Sequence, residues 1–314
     1  MRHTLLILSL AAVPFLSTSC GAGRTAAPRP QDSNYLEPYI LIGESGRSVK
    51  RTASDIIGRL FMRNFEVLGK YAPAGDPGRF VIVVTNRDLL SAVQGSKPAA
   101  AFAAAVRIAI TREGEMTYVS CQNPDYWAIA YFQEDHLSAA EQIARFKQDL
   151  LAVMPRMRGR FNRPFGNSGG RPLTHEALRD YRFQRRAESL DDLVTLATFN
   201  SFEEAVAAIE KRLAASRLIT KVFEMTVPER QVMLFGLALG GDSGEKRIVT
   251  LLDADKMKRT AGLPYEILVL ENRVVMLPVR FRLPLSFPDM DRKTYRRLKA
   301  LEGDISSLIR TLVE

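Results

Sequence analysis

The sequence predicts an α+β fold of two similar small domains, each a mainly antiparallel sheet with helices packed on one face. Three observations carry this expectation: short β-type runs come in pairs joined by turns, amphipathic helical patterns separate the pairs, and the same order recurs in both halves of the chain. With 314 residues, 46% of them hydrophobic and 25% charged, there is apolar material for one large or two medium cores. That excludes a wholly disordered or collagen-like chain.

Each half opens on a leading strand and then a helix. Ser48, Val49, Ala53, Ile56, Arg59 and Leu60 find counterparts at the same spacing in Ser201, Phe202, Val206, Ile209, Arg212 and Leu213. Both sets place apolar residues on one helical face, and Ser201 with Glu204 makes a capping box. Two strands follow in each half, over 65–71 and 80–85 and over 219–226 and 231–239, joined by turn formers between Pro73 and Gly78 and through Pro228. Short helices are expected around 88–93 and 253–259. Hairpins come next, 106–111 with 115–120 and 265–270 with 273–278, turning at 112–114 and at Glu271 and Asn272. A helix closes each half, marked by Ile143, Phe146, Leu150, Leu151 and Met154 and by Leu298, Leu301, Ile305, Leu308 and Leu312. Two similar halves in one chain are expected to pair with each other as a pseudo-dimer with a shared buried face.

The N-terminus reads as an export signal: Arg2 and His3, an apolar stretch over 5–16, then small residues before Cys20. Thr18, Ser19 and Cys20 resemble the lipobox of bacterial lipoproteins, in which the cysteine receives a diacylglycerol and the new amine is acylated. Ser17 departs from that pattern, with the preferred leucine one place earlier at Leu16, so plain cleavage after Ser19 and an uncleaved anchor are the alternatives. Residues 20–37 form a small-residue and proline-rich tether. Gly21 after the cysteine implies, by resemblance to sorting rules, the outer membrane facing the periplasm in a two-membrane host. The expected organisation is a signal peptide over 1–19, a lipidated tether over 20–37, a first domain over 38–155, an Arg-rich linker over 156–190 and a second domain over 191–314.

The linker region is the most basic part of the chain. Between Pro155 and Ala187 there are nine arginines, no lysine and two acids, Glu176 and Asp180, in a chain of net charge +9. Its glycines and prolines predict a loop at first, and 175–187 is compatible with a short helix. Arg156, Arg158, Arg160 and Arg163 are candidates for contact with an anionic surface. The bland alternative is a solvated linker whose arginines pair with acids of the two domains.

The second half, through Ser201-Phe-Glu-Glu-Ala-Val-Ala-Ala-Ile-Glu-Lys-Arg-Leu213 and Leu263-Pro-Tyr-Glu-Ile-Leu-Val-Leu270, resembles the bacterial domain-of-unknown-function 302 family. The position after Leu-Pro, often Cys in that family, is Tyr265 here, so a thiol-dependent role is not carried over. The first half fits the same template more loosely, with Ala105-Val-Arg-Ile-Ala-Ile110 at the corresponding place, and its segment from Asn123 to Phe132 looks like a motif of exported members of the group. The resemblance implies paired or dimeric small α+β domains and brings no established reaction.

Chemistry-bearing residues are sparse. Beyond the signal the chain has His136, His175 and Cys121, in no metal-ligand spacing, and no phosphate or dinucleotide loop, so no metal and no cofactor are expected. Cys121, at a strand end, reads as a small buried residue. Gly241-Asp-Ser-Gly244 superficially resembles a protease nucleophile segment but lies between β-type runs in a half without histidine, where it reads as a turn. Asn123, Asp125, Tyr126 and Trp127 combine turn formers with the only tryptophan, and two readings stand: a cap on the core, or a binding edge for a ligand or partner. Three functional readings follow. The first is a lipid-anchored envelope module that binds a small ligand or a protein partner without catalysis. The second is an envelope enzyme using Asp125, Glu134 or Asp135 near the Asn123-Pro124 turn. In the third, the arginine joint holds the protein to an anionic surface. None of them calls for specific nucleic-acid binding.

Overall fold

The computed structural model describes residues 35–314 apart from positions 156, 159, 160, 172, 255 and 256. Residues 34–314 form one compact unit. Its first half runs β1 (Tyr39–Ser45), α1 (Val49–Phe61), β2 (Glu66–Tyr71), β3 (Arg79–Thr85), α2 (Arg87–Gln94), β4 (Val106–Glu113), β5 (Met116–Gln122), α3 (Pro124–Phe132) and α4 (His136–Val153). Ser48 caps α1 by accepting from the Arg51 amide, and Asn86 caps α2 by accepting from the Leu89 amide. Each satisfies a donor that the first helical turn leaves unpaired.

The joint contributes structure of its own. Where a loop is expected, Arg163–Phe165 forms β6, which takes the free edge of β1, and α5 spans only His175–Arg179, ended by Asp180. An edge strand offers a row of unpaired amides and carbonyls, and a short extended segment returning beside it is held by them whatever its own propensity. The second half then repeats the order with β7 (Val194–Thr198), α6 (Phe202–Ala215), β8 (Ile219–Thr226), β9 (Val232–Leu239), α7 (Glu245–Leu252), β10 (Tyr265–Leu270), β11 (Arg273–Met276), α8 (Val279–Ser286) and α9 (Arg292–Arg310).

Three helices differ from expectation: α3 and α8 form where no helix is expected, and one helix is displaced. The helix expected around 253–259 lies earlier, as α7, because Ile248 and Leu252 supply the buried face one turn apart and Asp253 is taken up by Arg259 and by Arg79 of β3. Gly244 begins it at a place where a side chain would not fit: a Cβ there would stand 2.1 Å from the Leu239 carbonyl oxygen.

Among the described residues the strands form two antiparallel sheets, ordered β2-β3-β4-β5-β1-β6 and β8-β9-β10-β11-β7. Apart from β6, the two orders match strand for strand. In each sheet one face carries helices: α1 packs across β2, β3 and β4, and α6 packs across β8, β10 and β11. Alternation then assigns the other face. Met233, Phe235 and Leu237 point to the helices of the second layer, whereas Val232, Leu234, Leu268 and Leu270 join the core of the first half. The two sheets therefore share buried apolar surface. The segments that precede the hairpins make this sharing reciprocal: the turn Pro98–Ala103 lies over β9 and β10, and the turn Thr260–Gly262 lies over β3, β4 and β5.

Candidate functional site

The arginine joint is the candidate interaction surface, and β1 positions it. Because Arg163 pairs with Leu41 and Arg158 bridges to Glu44, both arginines are fixed along the edge of the first sheet. Arg158 borders a cleft of about 290 Å³ with Arg47, Glu44 and Asp55, and Arg163 borders one of about 520 Å³ with Glu37, Ser168, Arg259 and Asp289. Among the described residues neither Arg158 nor Arg163 has a carboxylate within ion-pair distance, whereas Arg47 reaches Asp55 at 3.7 Å and Arg259 pairs with Asp289. Two unpaired guanidinium groups beside clefts can take anionic oxygens by bidentate hydrogen bonds. Arg156 and Arg160, the other two residues of this cluster, lie outside the described residues, as does Cys20.

A second charged group is internal. Arg107 of β4, Glu266 of β10 and Arg282 of α8 meet between the two sheets, all buried. Arg282 donates from Nε to Glu266 Oε2 at 3.1 Å and from Nη2 to the Gly262 carbonyl at 2.9 Å, while Arg107 pairs with Glu266 and donates to the Ala105 carbonyl at 2.9 Å. Burial, and then the neighbouring Arg282 charge, pushes the Arg107 guanidinium down to about 9. Two further polar contacts join the halves. Arg79 pairs with Asp253 and donates to Thr260 Oγ1 at 2.9 Å. Glu245 accepts from the Tyr71 hydroxyl at 2.7 Å and the Ala74 amide at 2.8 Å, and burial raises its carboxyl to about 7. These groups face each other and not solvent, so what they can do is hold the two layers in one register.

The Asn123 segment belongs to this interior. Pro124 opens α3, and Trp127 is 4% exposed, donating from Nε1 to the Pro38 carbonyl at 2.8 Å, with the Arg282 guanidinium 5.4 Å from its ring centre. Tyr126 is buried too, its hydroxyl donating to the Leu285 carbonyl at 2.8 Å. Asn123 turns its side-chain amide to the Glu37 carbonyl. Of the four, Asp125 alone reaches solvent, and it holds Lys147 at 2.5 Å. The binding-edge reading is therefore corrected: nearly every residue of α3 is buried, because the helix is apolar on all sides and is covered by α4, α5, the turn Pro98–Ala103 and α8.

None of the carboxylates considered for catalysis, Asp125, Glu134 and Asp135, is buried. Glu134 is exposed, and Asp135 accepts from the Lys97 amide at 2.9 Å. His136 Nδ1 lies 2.6 Å from the Gln133 carbonyl oxygen, and His175 begins α5. Cys121 is buried on the helix-covered face of the sheet, and burial pushes its thiol up to about 12. Tyr265, at the position after Leu-Pro, is buried and donates to the Leu277 carbonyl at 2.7 Å.

Sequence reasoning missed Arg107, Glu266, Arg282 and Glu245. One signal was present: Arg107 and Glu266 are each the second residue of the first hairpin strand in their half, opposite charges at matching places between apolar neighbours, Val106 and Ile108 in one and Tyr265 and Ile267 in the other. An isolated charge in such a strand needs a partner in the core.

No family model matches the chain, and no curated protein matches it. Among solved structures, it is similar to that of the uncharacterized conserved protein DUF302 from Bacillus stearothermophilus, at 13% identity and a TM-score of 0.33, covering 39% of this chain and 98% of that one.

Proposed function

We propose that this chain is an exported, lipid-anchored cell-envelope protein that acts as a non-catalytic binding module for a small ligand or a protein partner. The observation that carries the reading is the order charged start, apolar stretch, small residues and Cys20, followed by the tether. The lipid on Cys20 holds the protein to the membrane, at the outer membrane facing the periplasm in a two-membrane host. The arginines of the joint, the exposed Arg158 and Arg163 together with Arg156 and Arg160 of the same sequence cluster, meet anionic groups of the partner. Among the described residues, two exposed arginines with no carboxylate within ion-pair distance support that role.

The test is fractionation of cells carrying the wild type and a Cys20→Ala variant, with mass spectrometry of the wild-type protein. The reading expects acyl mass on the wild type and loss of the variant from the membrane fraction. A variant that still fractionates with membranes means that Cys20 lipidation is not what holds the protein there. For the joint, ligand or partner capture is expected to weaken steeply with rising salt, and capture indifferent to salt removes the arginines from the reading.

A further inference from the structure

A patch at one end of the first layer stands apart from the arginine joint. Antiparallel pairings run from β1 through β5, β4 and β3 to β2, so β1 and β2 point the same way. Helix α1 connects them, and its C-terminal end therefore lies at the end of the sheet where β2 and β1 both begin. That is also where the chain enters the fold, after the tether that begins at Cys20.

At this end Phe61 is 66% exposed and Met62 is 76% exposed, two adjacent large apolar side chains next to the buried Leu60. Arg63 follows them. Arg87, at the start of α2, lines a cleft with Asn64, and among the described residues neither Arg63 nor Arg87 has a carboxylate within ion-pair distance, Glu66 being the acid of that cleft. Neither the core nor an ion pair accounts for this tip. An exposed aromatic and a methionine flanked by arginines combine what the boundary of an anionic bilayer takes up: apolar groups for the acyl region and cations for the headgroups. Alone this contact is weak, but on a chain already tethered to the same membrane the high local concentration makes it persist.

We propose that the Phe61–Met62 tip, with Arg63 and Arg87, is a second membrane contact that inserts into the headgroup boundary of an anionic bilayer and fixes which face the protein turns to its partners. This rests on the lipid-anchored reading.

The test uses the full lipidated protein in vesicles of phosphatidylethanolamine and phosphatidylglycerol, with an environment-sensitive fluorophore on Met62→Cys or on Leu137→Cys. Leu137 is 76% exposed, and its neighbour Asp135 accepts from the Lys97 amide beyond the C-terminal end of α2, the end opposite Arg87. Cys121 is buried and does not compete for the label. The Met62 label is expected to emit as in an apolar medium and to be quenched by spin-labelled lipid, at least about threefold more than in phosphatidylcholine vesicles or than the Leu137 label. Adding Phe61→Ser is expected to lower that quenching. A Met62 label that emits as in water on protein floating with the vesicles overturns the tip, and equal quenching in both lipid mixtures overturns its electrostatic part. A chain that does not float with vesicles overturns the anchored reading and the tip with it.

Discussion

Glu245 sits where a carboxylate is costly to ionise: it is buried, and its two partners come from the other half of the chain. Burial raises its carboxyl from 4.5 to about 7, so the folded protein keeps the proton over a range in which the unfolded chain has lost it. Its contribution to stability is therefore greatest below the unfolded value, falls as pH rises towards 7, and is flat above that. Glu245→Gln, which resembles the protonated form, is expected to melt higher than wild type at pH 8 and to lose this part of the pH dependence. Equal pH slopes in the two proteins would show that Glu245 is not the titrating group. Trp127 makes a second prediction at this scale. It stacks on Tyr131 at 5.7 Å between ring centres and fills the interior beside Arg282, so Trp127→Ala is expected to cost about 3–5 kcal/mol in chemical denaturation. A loss below about 1 kcal/mol, near the scale of a surface substitution, would contradict its place in the core.

The edge strands β2 and β8 abut closely. A Cβ on Gly69 would lie 2.1 Å from the Val222 carbonyl oxygen, so only glycine lets the two backbones approach this far. Gly69→Ala is expected to destabilise by about 1–3 kcal/mol, read as a lowered denaturation midpoint, because backbone cannot yield as a side-chain tip can. A midpoint unchanged from wild type would mean that the strands separate at little cost. The strands, the first helix of each half and the closing helices were legible in the sequence, since each carries its own periodicity and caps. β6 and α8 were not. β6 has only three residues and exists because β1 has a free edge, and Pro284 inside α8 argues locally against a helix that the interior nevertheless holds.

For the whole molecule, the decisive fact is that the inner face of the second sheet completes the core of the first half, with Phe223, Met225, Leu234 and Leu268 among the residues it supplies. Neither layer buries its apolar surface alone, and the polar contacts at Arg107, Arg79 and Glu245 all cross from one half to the other. Calorimetry is expected to give one cooperative unfolding transition for residues 34–314. Two separated transitions, one for each half, would show that the shared core does not couple them.

The sequence by itself determined the fold class, the order of the main strands in the two halves and the basic joint, because these are written in local periodicity, turn chemistry and composition. Of the candidate site it showed which arginines are clustered. Only the tertiary structure decided that Arg158 and Arg163 stand along a sheet edge with no described carboxylate within ion-pair distance, and that Tyr126 and Trp127 are interior. It also decided that opposite charges at matching places in the two hairpins, Arg107 and Glu266, meet. The reason is physical: burial and ion pairing depend on which faces come together across long sequence separations, here 159 positions between Arg107 and Glu266, and no local pattern encodes that meeting.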